Sequence, residues 1–272
     1  MQACRISLGG AGFIGHNLTL HLAGLGARVA VIDGLQINDF FAFVSSGENV
    51  HDRDLYLTIV NSRLEKMRVA NVELYVLDVR AYHAYCELIN ELNPEVVIHL
   101  AADSHAGKSN KDPFSTFVHS LQTLENALDA ARSSVEHFIY VSSSMVYGNF
   151  LEGKVSEEST CSPLGIYRAL KYADEKMVIA YNQVFDLPYT IIRSSAQYGE
   201  RCVSRPVGQI FIENALKGLD VCVVDDGSDR LDFTYIQDLV HGFERVIEGE
   251  NSRGETFNLT FGQSRSIGGW LN

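Results

Sequence analysis

Gly9-Gly10-Ala11-Gly12-Phe13-Ile14-Gly15 decides the reading of this chain. A short apolar run (residues 6–8) precedes it, and Phe13, Ile14, Leu18, Leu22 and Leu25 follow at helical spacing. A second apolar stretch, residues 27–32, ends at Asp33, eighteen positions after Gly15. Strand, glycine turn, helix, strand and carboxylate, in that order, make a dinucleotide-binding unit. The glycines let the backbone turn tightly and approach a diphosphate, whose charge the helix N-terminus favours, and the carboxylate accepts hydrogen bonds from the adenosine ribose. A glycine pattern alone says little, because glycine-rich turns are common; here both strands, the helix and Asp33 agree with it. Gly34 and Leu35 follow Asp33 with no arginine to hold a 2′-phosphate, which points to NAD over NADP.

The alternation continues outward. Residues 72–77, 96–100, 137–141 and 189–192 read as further strands, and 82–92 and 114–131 carry helical spacing. Another helix ends at Asp186-Leu187-Pro188. Short, nearly continuous apolar strands separated by helices predict an α/β chain, a Rossmann-type doubly wound parallel sheet covered on both faces. Residues 34–69 are long for a strand-to-helix connection; Phe40, Phe41, Phe43 and Val44 are apolar and 55–67 read as a helix, so the segment is an elaborated insertion near the adenosine edge. After Ile192 the pattern changes to a helix over 207–216, a strand over 221–224, a helix over 236–247 and a strand over 256–259, and a new helix is expected to begin near Ser266 and Ile267. The division expected is a nucleotide-binding domain over 1–195 and a smaller, apparently truncated substrate lobe over 196–272, set over the carboxyl edge of the sheet.

Composition narrows the function. In 272 residues, 46% are hydrophobic and 21% charged, ordinary values for a globular enzyme with an ample core. The net charge of −12 argues against nucleic acid or an anionic membrane as partner. No apolar run approaches a bilayer span, and the N-terminus lacks a charged region followed by a long apolar one. Five cysteines (Cys4, Cys86, Cys161, Cys202 and Cys222) are scattered with no metal-ligand spacing, so free thiols, no metal site and a cytoplasmic location are expected.

Tyr167 and Lys171 carry the chemistry. On a helix they lie on one face a turn apart, and an ammonium beside a phenol favours the phenolate, so the tyrosine can act as a base near neutral pH. The spacing alone would fit a surface pair. Its position changes that: it follows a strand ending in Ser142-Ser143-Ser144, with Val146-Tyr147-Gly148 just behind. A serine hydroxyl at a strand's carboxyl end can bond the same substrate oxygen that Tyr167 deprotonates.

At these residues the chain resembles the extended short-chain dehydrogenase/reductase family, in its NAD-dependent sugar-nucleotide epimerase/dehydratase branch. The resemblance also takes in Asp78-Val79, His99-Leu100-Ala101-Ala102 and the late run Asp232-Phe233-Thr234-Tyr235-Ile236-Gln237-Asp238. It implies NAD contacts from Gly9, Gly12, Phe13, Ile14, Gly15, Asp33, Asp78, Val79, Leu100, Ala101, Ala102, Ser142, Tyr167 and Lys171. It implies Tyr167, Lys171 and Ser143 as catalytic residues, and substrate contacts from Ser144, Arg193, Gln197, Arg201, Arg205 and Arg230. The implied reaction is transient oxidation of a nucleotide-sugar, most simply epimerisation at C4 of a UDP-hexose or UDP-uronate. The implied assembly is a homodimer pairing the helices over 114–131 and 167–181.

Departures from the family pattern matter too. Dehydratases of this branch carry an acidic pair after the catalytic serine or threonine, where this chain has Ser144 and Met145, and Met145 cannot move a proton. A family asparagine is replaced by His119, an asparagine on the phosphates by Ala196, and the arginine before Asp-Phe stands one place early as Arg230. Family members also continue past the strand over 256–259, so a longer chain or a partner is expected to complete the lobe. The competing readings are a reductase or dehydrogenase of the same substrates, separated by net cofactor turnover, a dehydratase, separated by its 4-keto-6-deoxy product, and a non-catalytic NAD-binding relative, for fold alone does not guarantee function.

Overall fold

The computed structural model describes residues 4–36, 53–102, 106–150, 153–203, 206–223 and 226–270. The aromatic cluster Phe40, Phe41 and Phe43, Val44 and Arg205 lie outside them. Six strands alternate with helices: β1 (Cys4–Leu8), α1 (Phe13–Gly24), β2 (Arg28–Asp33), α2 (Arg53–Val69), β3 (Glu73–Val76), α3 (Tyr82–Leu92), β4 (Val96–His99), α4 (Ala106–Lys111), α5 (Pro113–Phe117), α6 (Thr123–Ala131), β5 (His137–Ser143), α7 (Ile166–Phe185) and β6 (Tyr189–Ser194). The chain then runs through β7 (Ala196–Tyr198), α8 (Val207–Leu216), β8 (Arg230–Tyr235), α9 (Ile236–Glu248), β9 (Glu255–Leu259) and β10 (Ser264–Ser266).

Seven strands pair in the order β3-β2-β1-β4-β5-β6-β9, all parallel, which is the doubly wound sheet expected. The period of two sorts each strand's side chains onto two cores. Ile6, Leu8, Val97, Phe138, Tyr140 and Ile191 face α3, α6 and α7, where Tyr85, Ile89, Leu128 and Val178 meet them. Ile98, Ile139, Val141 and Ile192 face the other way, onto Leu18 and Leu22 of α1 and the α9 stripe Ile236, Leu239, Val240, Phe243, Ile247. His21 of α1 bonds Glu244 of α9 at 2.7 Å, tying those two helices at their outer ends. The strand order reverses between β1 and β4, and there the crevice opens. Gly9, at φ +72°, turns the chain out of β1 so close to β4's end that a Cβ on it would lie 2.9 Å from the Ala101 nitrogen. Gly15 packs equally hard, its hypothetical Cβ 2.4 Å from Gly10 Cα.

Three expectations need correction. The strand over 221–224 is absent: residues 221–223 carry no regular structure and Val224 lies outside the described residues. In its neighbourhood of the chain β8 is instead flanked by β7 in parallel and by β10 antiparallel, in a small three-stranded sheet that the sequence reading lacked. The helix expected near Ser266 is instead β10, seated on β8 and followed by a short 3₁₀ turn over Gly268–Trp270. The single helix expected over 114–131 is interrupted by a π turn at Val118–Gln122. Thr123 there returns its hydroxyl to the His119 carbonyl at 2.6 Å, the kind of side-chain bond that widens a helical turn. The insertion helix, by contrast, forms as expected, as α2.

Candidate active site

The glycine turn, β2's end, and the segments after β3 and β4 wall a cavity of about 280 Å³. Gly9, Gly12, Phe13, Ile14, Gly15, Asp33, Asp78, Val79, Leu100, Ala101 and Ala102 all line it. At one end Asp33 is buried, with one carboxylate oxygen accepting the Ala11 N–H at 3.0 Å and the other the Leu35 N–H at 2.7 Å. Burial raises its pKa, and these two backbone bonds oppose the rise. The carboxylate thus also pins the glycine turn to β2. Above the turn, α1 starts at Gly12 with no side-chain cap, leaving its first N–H groups to meet an anion. Asp78 is held by Arg80 and by the Gln36 amide at 2.8 Å, and Arg80 donates to His119 Nε2 at 3.3 Å. Pairing with Arg80 keeps the Asp78 carboxyl below its usual range.

Sequence reasoning missed Arg63. Tyr56, Val60, Arg63 and Met67 form the buried face of α2, and a guanidinium on an apolar stripe was the available signal. Arg63 is 1% exposed, lines the cavity, and donates to the Ala11 carbonyl at 3.3 Å and the Arg201 carbonyl at 2.9 Å. Burial lowers its pKa to about 10. Tyr56 bonds Glu213 of α8 at 3.0 Å. The insertion helix therefore braces the glycine turn against the later part of the chain.

The second half of the site lies at the carboxyl end of β5. Ser143 caps a short 3₁₀ turn (Ser144–Tyr147), its Oγ accepting the Met145 N–H at 3.2 Å. Tyr167 is half-buried one turn before Lys171 in α7. Lys171 is buried and donates to Tyr140 Oη at 3.1 Å and the Val141 carbonyl at 2.9 Å. Strand alternation turns Ser142 inward, where it donates to Glu175 at 2.6 Å. Arg193 of β6 grips Glu175 with two bonds, at 2.9 and 2.7 Å, and reaches Tyr147 Oη at 2.8 Å.

The structure thus separates the sequence candidates into groups. The eleven cofactor candidates above meet in the cavity, and Gln197, a substrate candidate, also lines it. Ser142, Tyr167 and Lys171 are not among its walls. Arg193 is engaged within the core. Arg201, at φ +65°, bonds His16 Nε2 at 3.0 Å and Asn17 at 3.3 Å, beside the start of α1. Arg230 is exposed and bonds Ser264 Oγ at 3.0 Å, bridging β8 and β10. Among the described residues, His21, His241 and Glu244 bring their ligand atoms within 4.8 Å of one another, at the far end of α1 from the glycine turn. No helix among the described residues is long and apolar enough to cross a membrane.

Comparison with known proteins agrees with this layout. The sequence model of the NAD dependent epimerase/dehydratase family matches residues 8–260. An uncharacterized UDP-glucose epimerase of Bacillus subtilis is 34% identical over 175 residues, 64% of this chain and 55% of that relative, so the match spans about half of its length. A UDP-glucose 4-epimerase of Mycolicibacterium smegmatis is 31% identical over 267 residues, 95% of this chain and 77% of that protein. The crystal structure of UDP-glucuronic acid 4-epimerase from Bacillus cereus, in complex with UDP-glucuronic acid and NAD, superposes with a TM-score of 0.84 at 25% identity, covering 98% of this chain and 80% of that one.

Proposed function

Because the chain belongs to the NAD-dependent epimerase/dehydratase family, we propose that it epimerises a nucleotide-activated sugar, at C4 of a UDP-hexose or UDP-uronate, through a transient 4-keto sugar. The observation that carries the choice of reaction is Met145, half-buried in the 3₁₀ turn directly behind Ser143 and Ser144. Elimination of water next to a ketone needs a proton donor and acceptor at that place, and a thioether is neither.

The cavity fits NAD. Gly9 and Gly15 leave the backbone approach that a Cβ would fill, uncapped α1 offers N–H groups to the diphosphate, and Asp33 stands where the adenosine ribose would lie. When bound, NAD supplies the acceptor, and later the donor, of the hydrogen on the sugar carbon. The chain's own part is proton transfer and placement. Tyr167 takes the proton of the sugar hydroxyl and returns it. Lys171, as an ammonium a turn away, favours the phenolate. Ser143 Oγ, at the strand end, steadies the same sugar oxygen. Between the two proton transfers the keto sugar would turn over, so that the hydrogen returns to the opposite face of the carbonyl carbon and the centre inverts.

UDP-glucose, UDP-glucuronate and their N-acetyl relatives, incubated with the protein and separated by chromatography, test this reading. The expected product is the C4 epimer; accumulation of a 4-keto-6-deoxy sugar would instead establish dehydration.

Asp33→Ala removes charge-assisted bonds to the ribose and should weaken NAD by about 1.5–3 kcal/mol, on the order of 10- to 100-fold, with less effect on NADP. Titration of both dinucleotides against wild type and variant checks it, and unchanged NAD affinity would remove Asp33 from the cofactor site. A homodimer through α5 to α7 fits the exposure of Phe114, Phe117, Val184 and Phe185 on those helices. Sedimentation at twice the chain mass is the expected result, and a monomeric mass would refute it.

A further inference from the structure

Two neighbouring carboxylates of α7 are buried beneath the reaction centre, and they are engaged differently. Glu175 receives both forks of Arg193 and the Ser142 hydroxyl, so a guanidinium matches its charge. Asp174 is as deeply buried, 1% exposed, and faces a different cation. Tyr140 stands between them: its Oη donates to Asp174 Oδ2 at 2.6 Å and accepts from Lys171 Nζ at 3.1 Å. The other oxygen, Asp174 Oδ1, meets no hydrogen-bond donor among the described residues.

We propose that Asp174 is a positioning residue of the reaction centre: bridged by Tyr140 Oη, its carboxylate balances the buried Lys171 ammonium and keeps that ammonium charged and aimed beside Tyr167. The inference rests on the reading of Tyr167 and Lys171 given under Proposed function. Asp174 does not line the cavity and acts through Lys171.

The physical case is one of charge balance. Lys171 is buried, and an ammonium out of water loses its proton unless an opposite charge compensates. Burial indeed lowers the Lys171 pKa, and Asp174 first, then Glu175, raises it again. Burial likewise raises the Asp174 pKa, which Lys171 and the Tyr140 hydroxyl oppose. The groups facing this pair from neighbouring elements do not substitute for it. From β4, His99 stacks on the Tyr140 ring with centroids 6.0 Å apart, and burial drops its pKa to about 3, so it is neutral. From β6, Arg193 is taken by Glu175. From β5, Tyr140 is held as a neutral phenol by burial, which pushes its pKa well above the usual range. Within α7, Tyr167 is the group that Lys171 serves.

NAD-saturated protein carrying ¹⁵N-labelled lysine tests the proposal, with the Lys171 Nζ signal assigned by its loss in Lys171→Ala. Removing the Asp174 charge takes away a contribution that raises the Lys171 pKa. In Asp174→Asn the Lys171 titration should therefore move down by about 1–3 pH units. The alkaline limb of kcat for sugar epimerisation should move down with it, leaving KM little changed. Tyr140→Phe keeps every charge but removes the bridge, and should move both in the same direction; it carries the test alone if Asp174→Asn does not fold. Unmoved titration and pH profile, with only a lower melting temperature, would overturn the proposal and leave Asp174 a packing residue. A wild-type protein that converts no sugar nucleotide but shows the Lys171 shift would refute the proposed function while upholding the positioning role.

Discussion

Tyr167→Phe should reduce sugar-nucleotide interconversion by about 10²–10⁴-fold, the range for loss of a general acid–base group. The substitution removes one oxygen from a half-buried ring and leaves α7, Lys171 and the cavity walls in place. NAD affinity and melting temperature should therefore stay near wild type. That combination separates chemistry from folding. Activity that survives the change would mean that another group moves the sugar proton. A fall in activity matched by a fall in NAD affinity would mean that the hydroxyl serves binding, not proton transfer.

Arg193→Ala should cost about 3–5 kcal/mol of stability, the range for a buried ion pair broken by removing one partner. Arg193 and Glu175 expose only 8% and 2% of their side chains, so water cannot replace the lost guanidinium. Glu175 would keep the Ser142 hydroxyl as a donor, but its charge would be unmatched, and Tyr147 Oη would lose a donor as well. Chemical denaturation measures the loss. Replacing both partners, as Arg193→Met with Glu175→Gln, should recover much of it, because the cost lies in the unpaired charge more than in the missing bond. If Arg193→Ala is harmless, the core beneath the site tolerates a naked carboxylate, and the electrostatic account of this region fails.

These two residues also show what the sequence made legible. Tyr167 was readable because helix geometry fixes its relation to Lys171 through a four-residue spacing, and because the strand before it ends in serines. The parallel strands were readable because burial on both faces leaves nearly unbroken apolar runs, as in residues 137–141 and 189–192. Gly9 and Asp33 were readable because a tight turn and a buried carboxylate are demanded by local backbone geometry. Arg193 shows the opposite case. Its place after an apolar strand marks it as special, but only the long-range pairing of β6 with β5 and α7 reveals that it spends its charge on Glu175. Arg63 was hidden for the same reason: it is a charge on an otherwise apolar face, whose partners Ala11 and Arg201 come from elements far away in the chain. β7 and β10 escaped because strands of three residues carry too little alternation to count, whereas the six residues of β8 alternate polar and apolar and did carry the signal. Residues 221–223 misled by the reverse effect, an apolar run that pairs with no strand among the described residues.

The central claim is transient oxidation at a sugar carbon with the hydrogen given back to the same molecule. The most direct test is incubation of the NAD-loaded protein with UDP-glucose or UDP-glucuronate deuterated at C4, followed by mass and NMR analysis of the products. The account predicts C4 epimers that retain deuterium at C4, with no net formation of NADH. Loss of the label to water, or NADH formed in proportion to product, would contradict it.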